Sequence, residues 1–244
     1  MNRYVDMHCH IIPGVDDGAQ TPEETKEMLT QAWDEGIRIV VATPHYHKRR
    51  GKNDLDLIKK QLLVARKLAK EVNPQMQICL GMEIYYGEDI PELLKEGKIV
   101  SIRKSRYVLL EFSPDDDFQY IVNAVRKVQM SGHSVVIAHI ERYNCLRTDI
   151  SNVEYLREMG AYMQVNAGSI IGNYGRSVKK FLREAMKEGL IQVVGTDAHD
   201  TEKRSPKMRD AYSEVVKRCG EEYADLIFEK NAKKILRNED LDEY

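Results

Sequence analysis

The sequence predicts an α/β fold in which strand and helix alternate along the chain, giving a parallel sheet that is either open or closed into a barrel. Three observations predict it. Short, nearly continuous apolar runs such as Ile37-Arg38-Ile39-Val40-Val41-Ala42 read as strands covered on both faces. Between them lie segments with apolar residues at helical spacing, as in Leu55, Ile58, Leu62, Ala65, Ala69 and Val72. Glycines at 36, 132, 160 and 189 stop helices just ahead of strands. Roughly seven strands are expected, against about eight in the standard βα barrel.

The first strand contains Val5, Met7 and Cys9 alternating with Asp6, His8 and His10, so His8 and His10 share a side. A polar loop with Asp16 and Asp17 follows. Thr21-Pro22-Glu23-Glu24 then opens a helix, with Thr21 as cap, Pro22 in the first turn and Glu24 closing a capping box. Gly36 ends that helix, and the next strand runs into Thr43-Pro44-His45. After the helix through Leu55 to Val72, one strand is expected over about 77–84, carrying Glu83 near its end, and then a short helix around 91–96. Tyr107-Val108-Leu109-Leu110 is a strand ending at Glu111. A helix through Ile121, Val125 and Val128 precedes the strand Val135-Val136-Ile137-Ala138, which ends in His139. A helix through Val153 and Leu156 leads to Tyr162–Val165, and one through Val178, Phe181, Leu182 and Ala185 leads to Ile191–Val194. That last strand ends in Gly195-Thr196-Asp197-Ala198-His199, and the chain beyond about Pro206 reads as helix.

The 244 residues, 42% of them hydrophobic and 31% charged, suit one barrel-like domain spanning 1–244, with no compositional break to mark a second. A net charge of −2 gives no global attraction to nucleic acid. The basic runs Lys48-Arg49-Arg50, Lys59-Lys60 and Lys179-Lys180 are expected to be solvated faces. No run is long and apolar enough to insert into a membrane. Cys9, Cys79, Cys145 and Cys219 form no CxxC pair and are expected to be reduced thiols of a cytoplasmic protein. None begins a Cys-x5-Arg phosphate loop: the residues six positions on are Val15, Tyr85, Ser151 and Asp225.

Ligand-type residues collect where the strands end: His8, His10, Asp17, His45, Glu83, Glu111, His139, Asp197 and His199. Singly, each suits a helix cap or a loop charge. Together at one end of a barrel they would repel and resist burial unless divalent cations neutralise them. Mixed imidazole and carboxylate donors suit Mn, Fe or Zn better than Ca or Mg. Such ions lower the pKa of water from about 15.7 towards about 7 and can drive phosphomonoester hydrolysis.

Several of these stretches carry a family resemblance: Asp6-Met7-His8-Cys9-His10-Ile11, Val15-Asp16-Asp17-Gly18, Ala42-Thr43-Pro44-His45, Gly81-Met82-Glu83, Leu110-Glu111-Phe112, Ala138-His139-Ile140-Glu141-Arg142 and Thr196-Asp197-Ala198-His199. In this order, over nearly the whole chain, they resemble the polymerase-and-histidinol-phosphatase (PHP) superfamily of metal-dependent phosphoesterases. More closely, they resemble the bacterial tyrosine phosphatases of capsule and exopolysaccharide operons. The resemblance implies a distorted, TIM-like (β/α)7 barrel with its active site at the strand C-termini and three divalent ions, manganese first, with iron or zinc as alternatives. It implies that His8, His10, Glu83 and Asp197 hold one ion. Glu83, Glu111 and His139 would hold a second, with Glu83 bridging, and Asp17, His45 and His199 the third. Arg142 matches the family's phosphate-binding arginine, so catalysis is expected of Arg142, Asp197 and His199. His47 and Arg204 are further candidates for substrate contact. Ile140 departs from the family, whose members usually carry Pro there.

The leading expectation is a manganese-dependent protein-tyrosine phosphatase acting by metal-activated water. Its partner would be a phosphotyrosine-bearing protein, in relatives a bacterial tyrosine kinase of polysaccharide synthesis. The alternatives are a small-molecule phosphatase such as histidinol-phosphatase, a nucleotide phosphoesterase or exonuclease, and an inactive metal-binding scaffold. A nucleic-acid substrate is disfavoured by the near-neutral charge.

Overall fold

The computed structural model describes residues 4–48 and 54–241. Arg49 and Arg50, named above as part of a basic run, lie outside the described residues, as do the two ends of the 1–244 span. The elements in order begin β1 (Tyr4–Cys9), α1 (Pro22–Glu35), β2 (Ile37–Ala42), β3 (His45–Tyr46), α2 (Leu55–Val72), β4 (Gln77–Leu80), β5 (Glu83–Tyr85) and α3 (Ile90–Lys95). They continue with β6 (Tyr107–Glu111), α4 (Phe118–Met130), β7 (Ser134–Ile137), α5 (Asn144–Thr148), α6 (Ser151–Glu158), β8 (Tyr162–Asn166), α7 (Ala167–Ile171), α8 (Arg176–Lys187) and β9 (Val193–Gly195). The last helices are α9 (Arg209–Cys219), α10 (Glu221–Asp225) and α11 (Asn231–Arg237), with a π-helical turn over Leu226–Lys230.

Every strand pairing is parallel. β1, β2 and β4 form one sheet, and β3, β5, β6, β7, β8 and β9 the other. β3 continues β2 beyond Thr43-Pro44, and β5 continues β4 beyond Gly81-Met82. Hydrogen bonds from Gly81 N to Ala42 O (2.8 Å) and from Glu83 N to Pro44 O (3.2 Å) carry the pairing across the break. A bridge between Cys9 and Ala198, with His10 N donating to Ala198 O at 2.9 Å, returns the far edge to β1. Among the described residues the strands therefore make seven staves of a distorted barrel.

Two apolar layers hold it. Val5, Met7, Val41, Leu109, Val136 and Val193 pack inside the barrel, and Ala232, Ile235 and Leu236 of α11 join them. Outside, Met28, Leu29 and Ala32 of α1, Ile58, Leu62 and Ala65 of α2, and their counterparts on later helices cover the sheet.

Several elements differ from the sequence-based expectation. The single strand over 77–84 is two strands in different sheets, and the break falls at Gly81, where a Cβ would crowd Val41 at 3.2 Å. Glu83 thus begins β5 instead of ending β4. The strand at Ile191–Val194 starts two residues later, at Val193. Its pairing with β8 is partly replaced by the Gln192 side chain, whose Oε1 accepts from Met163 N at 2.9 Å. The capping box is offset: Thr21 Oγ accepts from Glu24 N, but the Glu24 carboxylate accepts from Gln20 N instead of Thr21 N. The helix from Pro206 is broken at Gly220, whose φ of 88° favours glycine.

Candidate metal centre

β1 sets the centre, and a register irregularity aims it. Val5 and Met7 pack in the inner layer but Cys9 packs in the outer one, so strict alternation fails between Asp6 and Cys9. The irregularity keeps His8 and His10 on the inner side. It leaves Asp6 to accept from Thr196 N (2.8 Å), Thr196 Oγ1 (2.5 Å) and His8 N (3.2 Å), which ties β1 to the end of β9. Burial pushes the Asp6 carboxyl up to about 6, against these hydrogen bonds.

Two glycines allow the close approach. A Cβ at Gly195 would lie 2.5 Å from His8 Cβ, and one at Gly18 would lie 2.1 Å from His10 O. Two other positions are held in left-handed backbone without glycine: His139 at φ 30° and Asp197 at φ 53°. Such residues cost about 1–3 kcal/mol each and persist where the surroundings over-determine them. His139 N donates to Gln164 Oε1 (2.8 Å), and Asp197 N donates to His8 O (2.7 Å).

All nine candidate ligands lie together. Their donor atoms fall in four overlapping groups, each with atoms within 4.8 Å of one another: His10, Asp17, His45 and His199; His8, His10 and Asp197; His8, Glu83 and His139; His45, Glu83 and Glu111. Glu83 and His10 each belong to more than one group, and Glu83 is 1% exposed.

The chemistry of the donors suits cations. The amide oxygen of Gln164 can only accept, so His8 Nδ1, 3.2 Å away, donates to it and Nε2 is the ring atom turned to the centre. Asp16 does the same for His10, with its Oδ2 2.8 Å from Nδ1. The two Nε2 atoms then face one another at 3.1 Å; burial opposes charge on both rings, but the neighbouring Glu83 and Asp197 carboxylates hold them above the usual imidazole range. His8 Nε2, His10 Nε2 and His45 Nδ1 lie 3.1, 3.3 and 2.9 Å from Glu83 Oε2, yet that buried oxygen makes no hydrogen bond of acceptable geometry. His199 Nε2 is likewise buried without one. Imidazole nitrogens and carboxylate oxygens converging on shared points are the arrangement that a divalent ion stabilises. The same strain shows in the titration behaviour. Burial, reinforced by the Glu83 carboxylate, pushes Glu111 up to about 7, and burial pushes His139 down to about 4. Burial also opposes the charge of Asp197, but His8, His10 and Arg142 hold its carboxyl well below the usual range.

The substrate candidates lie at the rim. Arg142 pairs with Asp197 Oδ2 and stands 5.8 Å from the Tyr174 ring. Arg204 Nη2 is 2.8 Å from Asp197 Oδ1. His47 belongs to none of the four groups and stacks on Tyr85, with ring centroids 4.4 Å apart. The Ile140 position sits in a short 3-10 turn, Ile140–Arg142, that carries Arg142 inward. No disulfide joins the four cysteines, and Cys9 is buried in the outer layer with its Sγ 3.8 Å from Ala198 O.

Asp16, Gln164 and Asn166 were not singled out by the sequence. Asp16 and Gln164 orient His8 and His10, and Asn166 Nδ2 donates to Asp197 Oδ2 at 3.0 Å. An amide inside the buried strand Tyr162-Met163-Gln164-Val165-Asn166 was the available signal, because a buried polar group needs a partner.

A family model described as capsular polysaccharide synthesis, CpsB/CapC, matches residues 4–237. The chain is 34% identical over 240 residues to the tyrosine-protein phosphatase CpsB of Streptococcus pneumoniae, covering 96% of this chain and 99% of that protein. It is 33% identical over 236 residues to the tyrosine-protein phosphatase YwqE of Bacillus subtilis, covering 96% and 92%. Among solved structures it matches one of YwqE from Bacillus subtilis and CpsB from Streptococcus pneumoniae, described as unique metal-dependent tyrosine phosphatases. The TM-score is 0.91, with 30% identity over 98% of this chain and 97% of that one. The phosphotriesterase homology protein of Escherichia coli superposes with a TM-score of 0.65 at 12% identity over 96% of this chain and 99% of that one, which is a likeness of fold alone.

Proposed function

The chain belongs to the CpsB/CapC family of capsular polysaccharide synthesis, and from that premise we propose that it is a metal-dependent protein-tyrosine phosphatase acting in capsular or exopolysaccharide production. The observation that carries this is the convergence of nine imidazole and carboxylate side chains on one pocket with Arg142 and Arg204 at its edge. His8, His10, Glu83 and Asp197 would hold one ion, Glu83, Glu111 and His139 a second, and Asp17, His45 and His199 a third, with manganese as the first choice. Such ions supply Lewis-acid charge to phosphate oxygens and acidify water.

The chain's own residues do the rest. Arg142 presents a planar fork that matches two phosphate oxygens. Its ion pair with Asp197 keeps that fork turned to the centre before substrate arrives. Arg204 approaches the same carboxylate from the loop after His199 and adds a second cation. His8, His139 and Glu83 are all buried, which keeps bulk water from reaching behind the phosphate. His47, stacked on Tyr85, is the further candidate for contact with the substrate chain. A phenol has a pKa of about 10, far below an alkyl alcohol, so phenolate leaves with little proton donation. That favours phosphotyrosine. The partner in this proposal is a bacterial tyrosine kinase of polysaccharide synthesis, and the setting is the cytoplasm, in keeping with four cysteines that form no disulfide. No described helix is long and apolar enough to cross a membrane. Residues 1–244 are taken as one catalytic unit.

The test is kcat/KM for matched phosphotyrosine and phosphoserine peptides alongside histidinol phosphate. The phosphotyrosine peptide is expected to lead. Equal values for the two peptides, or an advantage for histidinol phosphate, would move the assignment to a small-molecule phosphatase.

Arg142→Ala is expected to weaken catalysis by roughly 1.5–3 kcal/mol, the scale of a charge-assisted hydrogen bond, which is about 10–150-fold in kcat/KM. Metal content, read by elemental analysis, should not change. Loss of metal together with activity would mean that Arg142 serves the ligands and not the phosphate.

A further inference from the structure

β4 has two ends with different surroundings. Its C-terminal end leads through Gly81-Met82 to Glu83 and the metal centre. Its N-terminal end opens into a cavity of about 480 Å³ on the opposite side of the barrel. Arg66, Lys67 and Lys70 of α2 line it with Arg103, over Met76 and Ile78. The volume lies within the range of small-molecule sites. No described acid lines it.

The four cations gather in one depression with no carboxylate in its lining. Lys26, Lys48, Lys127, Arg218 and Lys233 each pair with a carboxylate. Among the described residues, Arg66, Lys67, Lys70 and Arg103 make no such ion pair. Three are anchored by backbone carbonyls instead: Arg66 Nε to Ile78 O (3.1 Å), Lys70 Nζ to Met76 O (2.9 Å) and Arg103 Nη1 to Leu236 O (2.7 Å). Those bonds position the cations without neutralising them. Like charges gathered in one concavity repel, and an anion relieves that repulsion. Arg103 and the following Lys104 are also both left-handed without glycine, at φ 51° and 61°. Strained pairs of this kind gather at ligand clamps and switch regions.

We infer that this cavity is a second anion site, separate from the metal centre, for a small organic diphosphate of the nucleoside diphosphate type. Two or more negative charges match four cations, and the guanidinium forks of Arg66 and Arg103 suit phosphate oxygens. The methylene stems of Arg66, Lys67 and Lys70, exposed along the cavity wall, offer apolar surface for the organic body. The site does not depend on the phosphatase reading, because none of its residues belongs to the catalytic centre.

Titration calorimetry of the metal-loaded full chain tests it, with α,β-methylene-ADP and methylenediphosphonate as probes whose P–C–P bridges resist hydrolysis. The nucleotide analogue should bind, and more tightly than methylenediphosphonate. Lys67→Glu should weaken it by about tenfold or more, the loss expected of one charge-assisted contact. Arg66→Gln combined with Lys67→Gln should weaken it further. Turnover of an aryl phosphate should stay at the parent level in both. Lys67 makes no hydrogen bond among the described residues, so Lys67→Glu keeps the test sound if loss of the Arg66 anchor unfolds the double variant. Undiminished binding in Lys67→Glu would place the anion at the metal centre and overturn the inference. Equal affinity for the two probes would overturn the organic part of it. Absence of binding at millimolar probe would overturn it entirely.

Discussion

Glu83→Gln is expected to lower kcat/KM for a phosphotyrosine peptide by roughly 10²–10⁴-fold, the equivalent of about 3–5 kcal/mol lost when one partner of a buried charged network is removed. The side chain keeps its shape and loses its charge. Glu83 Oε1 lies 2.7 Å from His139 Nε2, while Oε2 lies 2.9–3.3 Å from nitrogens of His8, His10 and His45. It is the carboxylate that the largest number of candidate ligands share, so an amide there disturbs more than one cation position at once. The effect should therefore exceed that of Arg142→Ala, and metal content should fall with activity. Circular dichroism separates this from unfolding. A variant that keeps activity within about tenfold, less than 1.4 kcal/mol, would mean that Glu83 is not a shared ligand.

Removal of metal is expected to have the second large effect, on activity and stability together. An ion that binds only the folded chain stabilises it by about 4 kcal/mol when present at 1,000 times its Kd. For a chain of this size each kcal/mol corresponds to about 2–4 °C in Tm, so even one such site accounts for roughly 8–16 °C. The unmetallated centre adds to the loss. The Nε2 atoms of His8 and His10 face each other at 3.1 Å, and burial pushes Glu111 up to about 7 with Glu83 beside it. Chelation followed by thermal melting should show the fall in Tm. Turnover should vanish and return with Mn²⁺, and Fe²⁺ and Zn²⁺ in parallel would rank the metals. Full activity in protein shown by elemental analysis to be metal-free would sink the metal-centred reading.

Much of the fold was legible because its signals are local. Glycines 36 and 160 ended helices, and apolar runs marked β2, β6 and β7, since burial on both faces leaves little room for polar residues. The ligand candidates stood out for the same reason: an imidazole or carboxylate directly after an apolar run has no role in the core. The break between β4 and β5 was less legible. Gln77 to Ile84 looks continuous in composition, and the crowding of Gly81 against Val41 exists only once β2 lies alongside. The start of β9 was misplaced because the Gln192 side chain replaces a backbone acceptor for Met163, 29 positions away. α5 and α7, each five residues long, are too short for a periodic stripe to reveal.

The sequence by itself determined the chemistry of the centre, namely which groups can bind a cation and that they follow successive parallel strands. Residue identity and order along the chain carry that information without any contact being known. Only the tertiary structure decided which nitrogen of each histidine faces inward and which carboxylate is shared. Gln164, 156 positions from His8, selects its Nε2, and Asp16, more buried than its neighbour Asp17, selects that of His10. The left-handed backbone of His139 and Asp197 has no glycine to announce it, and it persists because Gln164 and His8 hold the two amides from other strands. Orientation of this kind is a property of contacts between distant segments, and those contacts form only when the barrel closes.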